Sequence, residues 1–370
     1  MNALGLVFSN IHDNSIPELT QERTMGSIPF CGRYRLVDFT LSNMVNSGIA
    51  KVGIITKSNY QSLMDHVGSG KDWDLARRQG GLHILPPFGL KENILYNTRL
   101  EALRGAKNFL ERSDEEYVVM SDCDCVCNMN YDNILRAHVK NNADITLVYV
   151  KKEFKEDESF DSSTVLSLNK SGRVTDIAFN PKLEGKVNLY ANVCILKRTL
   201  LQTLIAEAFT HNYRHFLKDI IARNLNNLRI HGYEHQGYFI VINSLHSYYT
   251  ESLKFLNKEV RDEMFRNTDV FTKVKDSVPT RYGANAVVKN SLIADGCVIE
   301  GTVENSIIFR GVKVGRGTVV KNSILMQGTI TGENVLLNCI ITDKSVVVKD
   351  RRVLSGCETH PFYINKNNII

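Results

Sequence analysis

Residues Ser9–Gly48 read SNIHDNSIPELTQERTMGSIPFCGRYRLVDFTLSNMVNSG and follow a short apolar run, Ala3-Leu4-Gly5-Leu6-Val7-Phe8. That run, bounded by turn formers, predicts a buried strand. In α/β proteins that bind nucleotides, the loop leaving a first strand is usually glycine-rich, so that bare N–H groups can close on phosphate oxygens. Here the loop from Ser9 to Pro17 has no glycine and carries a carboxylate at Asp13, which repels a polyphosphate. It is a poor phosphate cradle. Further on, Val37, Leu41, Met44 and Val45 fall at helical spacing, with Gly48 placed to end the helix.

Outward from this stretch, Lys51–Thr56 reads as a second strand and Tyr60–Val67 as a helix. Tyr117–Met120 and Ile145–Val150 are further apolar strands with a helix from Tyr131 to Asn141 between them. Strand and helix in alternation predict a largely parallel sheet covered by helices, with ligands beyond the carboxyl ends of its strands. The charged stretch Lys151–Asp161 reads as a solvated loop or hairpin. Tyr248, Glu251, Ser252, Phe255 and Leu256 lie on a linker helix.

From about Gly283 the helical periodicity stops. Asn290-Ser291-Leu292-Ile293, Asn305-Ser306-Ile307-Ile308, Asn322-Ser323-Ile324-Leu325 and Asn338-Cys339-Ile340-Ile341 recur at intervals of 15, 17 and 16 residues. Glycines follow the first three asparagines by six positions, at Gly296, Gly311 and Gly328. Near-constant coils of three short strands predict a left-handed parallel β-helix; an antiparallel sandwich would need hairpin turns.

Composition bounds the function. A chain of 370 residues with 43% hydrophobic and 23% charged residues is long enough for two domains and a large core. The net charge of +5 comes without any run of five lysines or arginines, so no nucleic-acid partner is expected. No signal-like segment and no apolar run of eighteen residues is present, so no membrane partner is expected and the cytoplasm is the expected compartment. Eight cysteines in such a chain imply reduced thiols. Cys123, Cys125 and Cys127 alternate and would share one face of an extended segment; buried thiols beneath a sheet explain them better than a zinc site, which favours C-x₂-C loops.

The run Pro29–Phe39, then Leu41-Ser42-Asn43 and Asn46-Ser47-Gly48-Ile49, with His66–Leu75 and Gly80–Pro87, resembles the sugar-nucleotide pyrophosphorylase ADP-glucose pyrophosphorylase (glucose-1-phosphate adenylyltransferase). The similarity continues almost to the C-terminus and is closest to the regulatory, catalytically deficient subunit of bacterial glycogen synthesis. It implies a nucleotidyltransferase-like, Rossmann-like domain over residues 1–245, a linker over 246–282 and the β-helix over 283–370. It also implies a catalytic paralogue as partner, in a heterotetramer.

The family joins glucose 1-phosphate to the α-phosphate of ATP, a displacement that needs Mg²⁺ held by carboxylates and cations on the phosphates. Carried over residue by residue, the lysine of R-A-K-P falls on Met25 in Arg23-Thr24-Met25-Gly26, and the lysine of E-K-P on Asn180 in Phe179-Asn180-Pro181. The first metal aspartate falls on Asp124, or on Asp122 if the loop has slipped; the second, from W-x-D-V-G-T, falls on Ile240. The G-T-A-D-A segment becomes Thr98-Arg99-Leu100-Glu101-Ala102. Met25, Asn180 and Ile240 cannot neutralise phosphate or hold metal, so little or no catalysis by the chain alone, and no cofactor beyond Mg²⁺ in the catalytic partner, is expected. Arg33 and Arg35 are candidates for a sugar-phosphate effector, since forked guanidinium donors match phosphate oxygens; pairing with carboxylates such as Asp38 is the other reading. Trp73 is either a loop anchor or a mobile flap, with the anchor preferred. His211, His215 and Asp219, four residues apart, read as one helix face. An active adenylyltransferase is the alternative; a hexapeptide-repeat acyltransferase would want a β-helix histidine, and Gly283–Lys349 has none.

Overall fold

The computed structural model describes residues 2–87, 96–154, 163–182, 184–266 and 268–370. β1 (Ala3–Phe8) is buried along its length. Leu4, Leu6 and Phe8 enter one apolar cluster and Ala3 and Val7 another, the two-residue alternation of a strand covered on both faces. The loop after it forms a 3-10 turn at Asp13–Ser15 and one helical turn, α1 (Pro17–Thr20). A short hairpin follows, β2 (Pro29–Phe30) with β3 (Tyr34–Arg35), and leads into α2 (Leu36–Asn46).

α2 is the helix expected from its spacing, and its polar residues tie the domain together. The Asp38 carboxylate accepts the Arg35 N–H (3.0 Å) at its start. Gly48, at φ +78°, lets the Ile49 N–H return to the Met44 carbonyl (3.0 Å) and closes its end. Asn43 donates to the Cys127 carbonyl (2.9 Å) and accepts the Met129 N–H (3.1 Å). Ser47 accepts the Tyr131 N–H (2.8 Å), Ser42 the Phe271 N–H (2.8 Å), and Asn46 donates to the Asp269 carbonyl (2.7 Å). The Leu41-Ser42-Asn43 and Asn46-Ser47 motifs thus satisfy backbone groups of segments remote in sequence.

Next come β4 (Lys51–Ile55), α3 (Gln61–Val67), β5 (Gly81–Leu85), α4 (Arg99–Gly105), α5 (Lys107–Glu111), β6 (Tyr117–Asp122), β7 (Cys125–Cys127), α6 (Tyr131–Lys140) and β8 (Ile145–Phe154). β9 (Thr164–Leu168), β10 (Val174–Phe179), β11 (Gly185–Lys197), α7 (Arg198–Thr210), β12 (Ile230–Glu234) and β13 (Phe239–Val241) complete the domain. The main sheet runs β10-β9-β11-β6-β1-β4-β5, with β8 joining β11 to β12. Its centre, β6-β1-β4-β5, is parallel, and β11 adds on antiparallel. Phe8 pairs with Ile55 and with Asp122, so three strands end together and aim their following loops at one place. Lys151–Phe154, read as part of a loop or hairpin, is not loop but prolongs β8, antiparallel to Gly185–Asn188 of β11; residues 155–161 of that expectation lie outside the described residues.

Cys123, Cys125 and Cys127 are buried in one cluster with Val37, Leu41 and Tyr131, and burial pushes the Cys123 thiol well above its ordinary value. They are core thiols. Trp73 is 1% exposed, with its ring edge-on to His66 at 5.7 Å; it anchors its loop.

The linker holds α8 (Leu245–Lys254) and a second helix that periodicity did not reveal, α9 (Lys258–Phe265), capped by Asn257. From Arg281–Tyr282 to Phe362–Ile364 the chain forms three sheets of five parallel strands each, a left-handed parallel β-helix. Asn290, Asn305 and Asn322 turn the corners at φ +41°, +47° and +47°, and Gly296, Gly311 and Gly328 do so at +74°, +71° and +72°. At the fourth coil the register differs from the sequence reading. Asn338 pairs with Lys321 inside a strand, and Cys339, at φ +53°, takes the corner. Asparagine tolerates this left-handed backbone better than cysteine, which is why the neighbouring Asn338 misled the count.

The two domains share a core. Phe30, Phe39 and Val126, then Tyr248, Phe255 and Met264, then Ile307, Phe309, Ile324 and Ile341 form a single buried cluster. At its edge Arg23 reaches across to Asp343.

Candidate functional site

The loops after β1 and β6 and the start of α4 converge beyond the carboxyl ends of the parallel strands, where the alternating pattern put the ligand site. Asp122 ends β6 and Asp124 lies in the turn before β7; both are buried. His12, in the loop after β1, places Nε2 2.7 Å from Asp122 Oδ2 and 3.4 Å from Asp124 Oδ2. Arg99, the first residue of α4, forms an ion pair with Asp122 Oδ2. Asn192 donates to Asp124 Oδ2 (3.0 Å). It does so from a left-handed backbone (φ +56°) inside a register shift of β11 between Tyr190 and Cys194; without this bulge the strand would not turn the amide to the carboxylate.

Charge balance governs the cluster. Burial opposes protonation of His12, but Asp124 and Asp122 outweigh it and raise its pKa to about 9. Burial likewise opposes ionisation of Asp122, while Arg99 and His12 hold its carboxyl below the usual range. Asp124 goes the other way, raised by burial, with the nearby Asp122 charge adding to it. Asp122 Oδ1, Asp124 Oδ1 and Arg99 Nε have no hydrogen-bond partner among the described residues.

His12, Asp122 and Asp124 are the one group of three or more potential metal ligands within reach of each other among the described residues. The family's Mg²⁺ nevertheless does not fit. The Oδ2 atoms already carry a guanidinium, an imidazole and an amide, and the cavity beside His12 and Asp124 is about 20 Å³, whereas Mg²⁺ demands octahedral oxygen ligation and keeps several waters.

The loop after β1 is also tied down by its own charge. The Asp13 carboxylate accepts Asn10 Nδ2 (2.6 Å) and the Met25 N–H (2.7 Å), and burial pushes its pKa up to about 6. The loop's own acid thus fastens it to the Met25 backbone. The Met25 side chain is 1% exposed and lies in the interdomain core with Ile16 and Ile28.

The remaining expected residues are placed as follows. Asn180 is exposed, with φ +49°, and its N–H donates to the carbonyl of Ser163, which lines the small cavity. Ile240 packs against the interdomain core, and it is the next residue, Val241, that lines the cavity; strand alternation separates the two faces, and Val241 has no carboxylate either. Arg33 is exposed, above the Tyr34 ring at 5.6 Å. Arg35 is half-buried and donates to Ser62 Oγ (3.0 Å); Asp38 meets its backbone N–H and, through Oδ1, His66 Nε2 at 2.6 Å, so the side-chain pair with Asp38 does not form. His211, His215 and Asp219 do not share a helix face. His211 follows α7, and Asp219 accepts the N–H groups of Arg214 (3.0 Å) and His215 (2.9 Å), capping a π-helical turn at Phe216–Ile221.

His12 and Arg99 escaped the sequence reading. The signal was there: a histidine and an arginine in segments expected to approach a pair of aspartates, whose buried carboxylates require compensation.

Comparison with known proteins places this geometry. Residues 16–238 match the family model described as nucleotidyl transferase, and residues 275–359 that of the GlmU-like C-terminal hexapeptide. A glycogen biosynthesis protein GlgD of Bacillus subtilis is 35% identical over 364 residues, covering 98% of this chain and 95% of the relative. The protein of the same name from Geobacillus stearothermophilus is 36% identical over 372 residues, covering 99% and 96%. A glucose-1-phosphate adenylyltransferase of Thermotoga maritima is 33% identical over 329 residues, covering 86% and 76%.

Proposed function

The chain belongs to the nucleotidyl transferase family, and from that premise we propose that it is a regulatory subunit of a glucose-1-phosphate adenylyltransferase in cytoplasmic glycogen biosynthesis, with little or no catalysis of its own. The observation that carries the reading is Asp13 on the Met25 N–H (2.7 Å): the loop that would hold the triphosphate turns a carboxylate inward and is fastened by it to the Met25 backbone. With Met25, Asn180 and Ile240, or Val241 beside it, where charged groups are expected, several electrostatic parts are missing; removing a single preorganised donor from an enzyme site can cost about 2.7–4 kcal/mol of barrier.

A subunit without chemistry changes a rate only by favouring its partner's active state. Arg35 is the better of the two effector candidates. It lies at the seam between the domains, where its charge and that of Arg23 act on Lys344 of the β-helix. An anionic sugar phosphate there would relieve the mutual repulsion of these cations. The partner is a catalytic paralogue, in a heterotetramer.

The test mixes the chain with the catalytic paralogue and records activation by sugar phosphates. Arg35→Ala should leave the complex intact and weaken the response, about 5–150-fold in half-activating concentration if the coupling is of ordinary size. Arg35→Lys should restore part of it, since the fork is lost. Unchanged activation curves with both variants would remove Arg35 from the mechanism, and no effect of the chain on its partner would overturn the regulatory reading.

A further inference from the structure

We infer that Arg99, with His12, stands in this chain where a divalent ion stands in a working nucleotidyltransferase, and closes the carboxylate site to metal with the protein's own charge. The inference deepens the proposed function and rests on it for the comparison with a working site. The Arg99 guanidinium and the His12 ring sit on the Oδ2 atoms of Asp122 and Asp124, the oxygens that a divalent cation between the two carboxylates would take.

Arg99 is held for the task. It follows the Thr98 N-cap, whose hydroxyl accepts the Glu101 N–H (3.3 Å) while Glu101 accepts the Thr98 N–H (3.2 Å). Its guanidinium lies 5.3 Å from the centre of the Phe8 ring, and its side chain is 10% exposed. A cation in the first turn of a helix opposes the helix dipole, so local preference does not put arginine there; the buried Asp122, 0% exposed, supplies the reason. His12 bridges to Asp124 from the opposite loop, and Asn192 fixes the second carboxylate. A tethered cation needs no ion from solution and occupies the Oδ2 atoms, so that a metal bridging the two carboxylates through them would have to displace it.

The experiment uses the full chain and Mn²⁺ alone as probe, followed by electron paramagnetic resonance at neutral pH with 1 mM metal at most, about the range of weak sites. Wild type should bind no Mn²⁺ that Asp124→Asn removes, and its melting temperature should not respond to Mn²⁺. Arg99→Ala should gain one Mn²⁺ at least tenfold tighter than wild type, lost again in Arg99→Ala/Asp124→Asn. If Arg99→Ala folds only when Mn²⁺ is added, the metal has replaced the guanidinium and the inference holds. Stoichiometric Mn²⁺ in wild type that Asp124→Asn abolishes would overturn it. So would an Arg99→Ala protein that gains no Mn²⁺, or that stays unfolded with Mn²⁺ present. The two readings fail separately: wild type that binds Mn²⁺ but forms no ADP-glucose refutes only the built-in cation, and wild type that forms ADP-glucose without binding Mn²⁺ refutes only the regulatory reading.

Discussion

Arg23 and Asp343, 320 positions apart, form a buried ion pair across the seam between the two domains, with one guanidinium nitrogen 2.7 Å from each carboxylate oxygen. The two side chains are 2% and 5% exposed. Tyr363 donates to the same carboxylate (2.8 Å), as does the Lys344 N–H (2.6 Å). Removing one partner of such a pair strands the other charge, typically at a cost of about 3–5 kcal/mol. Arg23→Ala should therefore lower the unfolding free energy by an amount in that range, and Arg23→Ala/Asp343→Asn by less than the sum of the single changes. Denaturant titration of the four proteins measures it; additive losses would mean that the pair does not couple.

Lys344 gives the seam a pH dependence. Burial, followed by Arg35 and Arg23, lowers its amine from 10.5 to about 7. Between those values the unfolded chain binds a proton that the folded chain does not, so the lysine's contribution makes stability rise with pH across about pH 7 to 10.5 and leaves its full cost in place below pH 7. Lys344→Met should raise the melting temperature near pH 6.5, and the gain should fade towards pH 10. A gain independent of pH would trace to packing instead.

The outer face of the β-helix is the expected subunit contact. Val287, Thr302, Val319, Leu336 and Val353 are in register up one sheet, and Val287, Leu336 and Val353 are 42%, 46% and 68% exposed. Beside them runs Lys289, Glu304, Lys321, an alternation that suits a partner of alternating charge. Leu336→Asp should leave the chain folded and break its association with the catalytic paralogue in size-exclusion chromatography. Intact assembly would put the contact on another face. Deleting residues 283–370 is a poorer experiment, because Phe30, Phe39 and Tyr248 bury themselves against Ile307 and Phe309 and would be exposed by the cut.

Much of this architecture was legible because it obeys local rules. The strand Ala3–Phe8, the helix closed by Gly48 and the coils turned by Asn290, Asn305 and Asn322 all follow from periodicity and backbone preference. Cys339 shows the limit: a residue held in a left-handed corner by the coils around it carries no local signature. The site was legible only in part. Asp122 and Asp124 stand out in the loop after a strand, but His12 and Arg99 are drawn together from segments 87 positions apart (99 less 12), and only the fold pairs them with Asp122. Ile240 and Val241 differ by the side of a strand on which they fall, which one residue of alignment slip reverses.

The most direct measurement of the central claim is the turnover of the isolated chain with ATP, glucose 1-phosphate and Mg²⁺, read as ADP-glucose or pyrophosphate released. With Asp13 closing the nucleotide loop and Arg99 on Asp122, the expected rate is at or below detection, and adding the catalytic paralogue should restore synthesis to the mixture. A turnover of about one per second or faster by the chain alone, within the ordinary range of enzymes, would contradict the account.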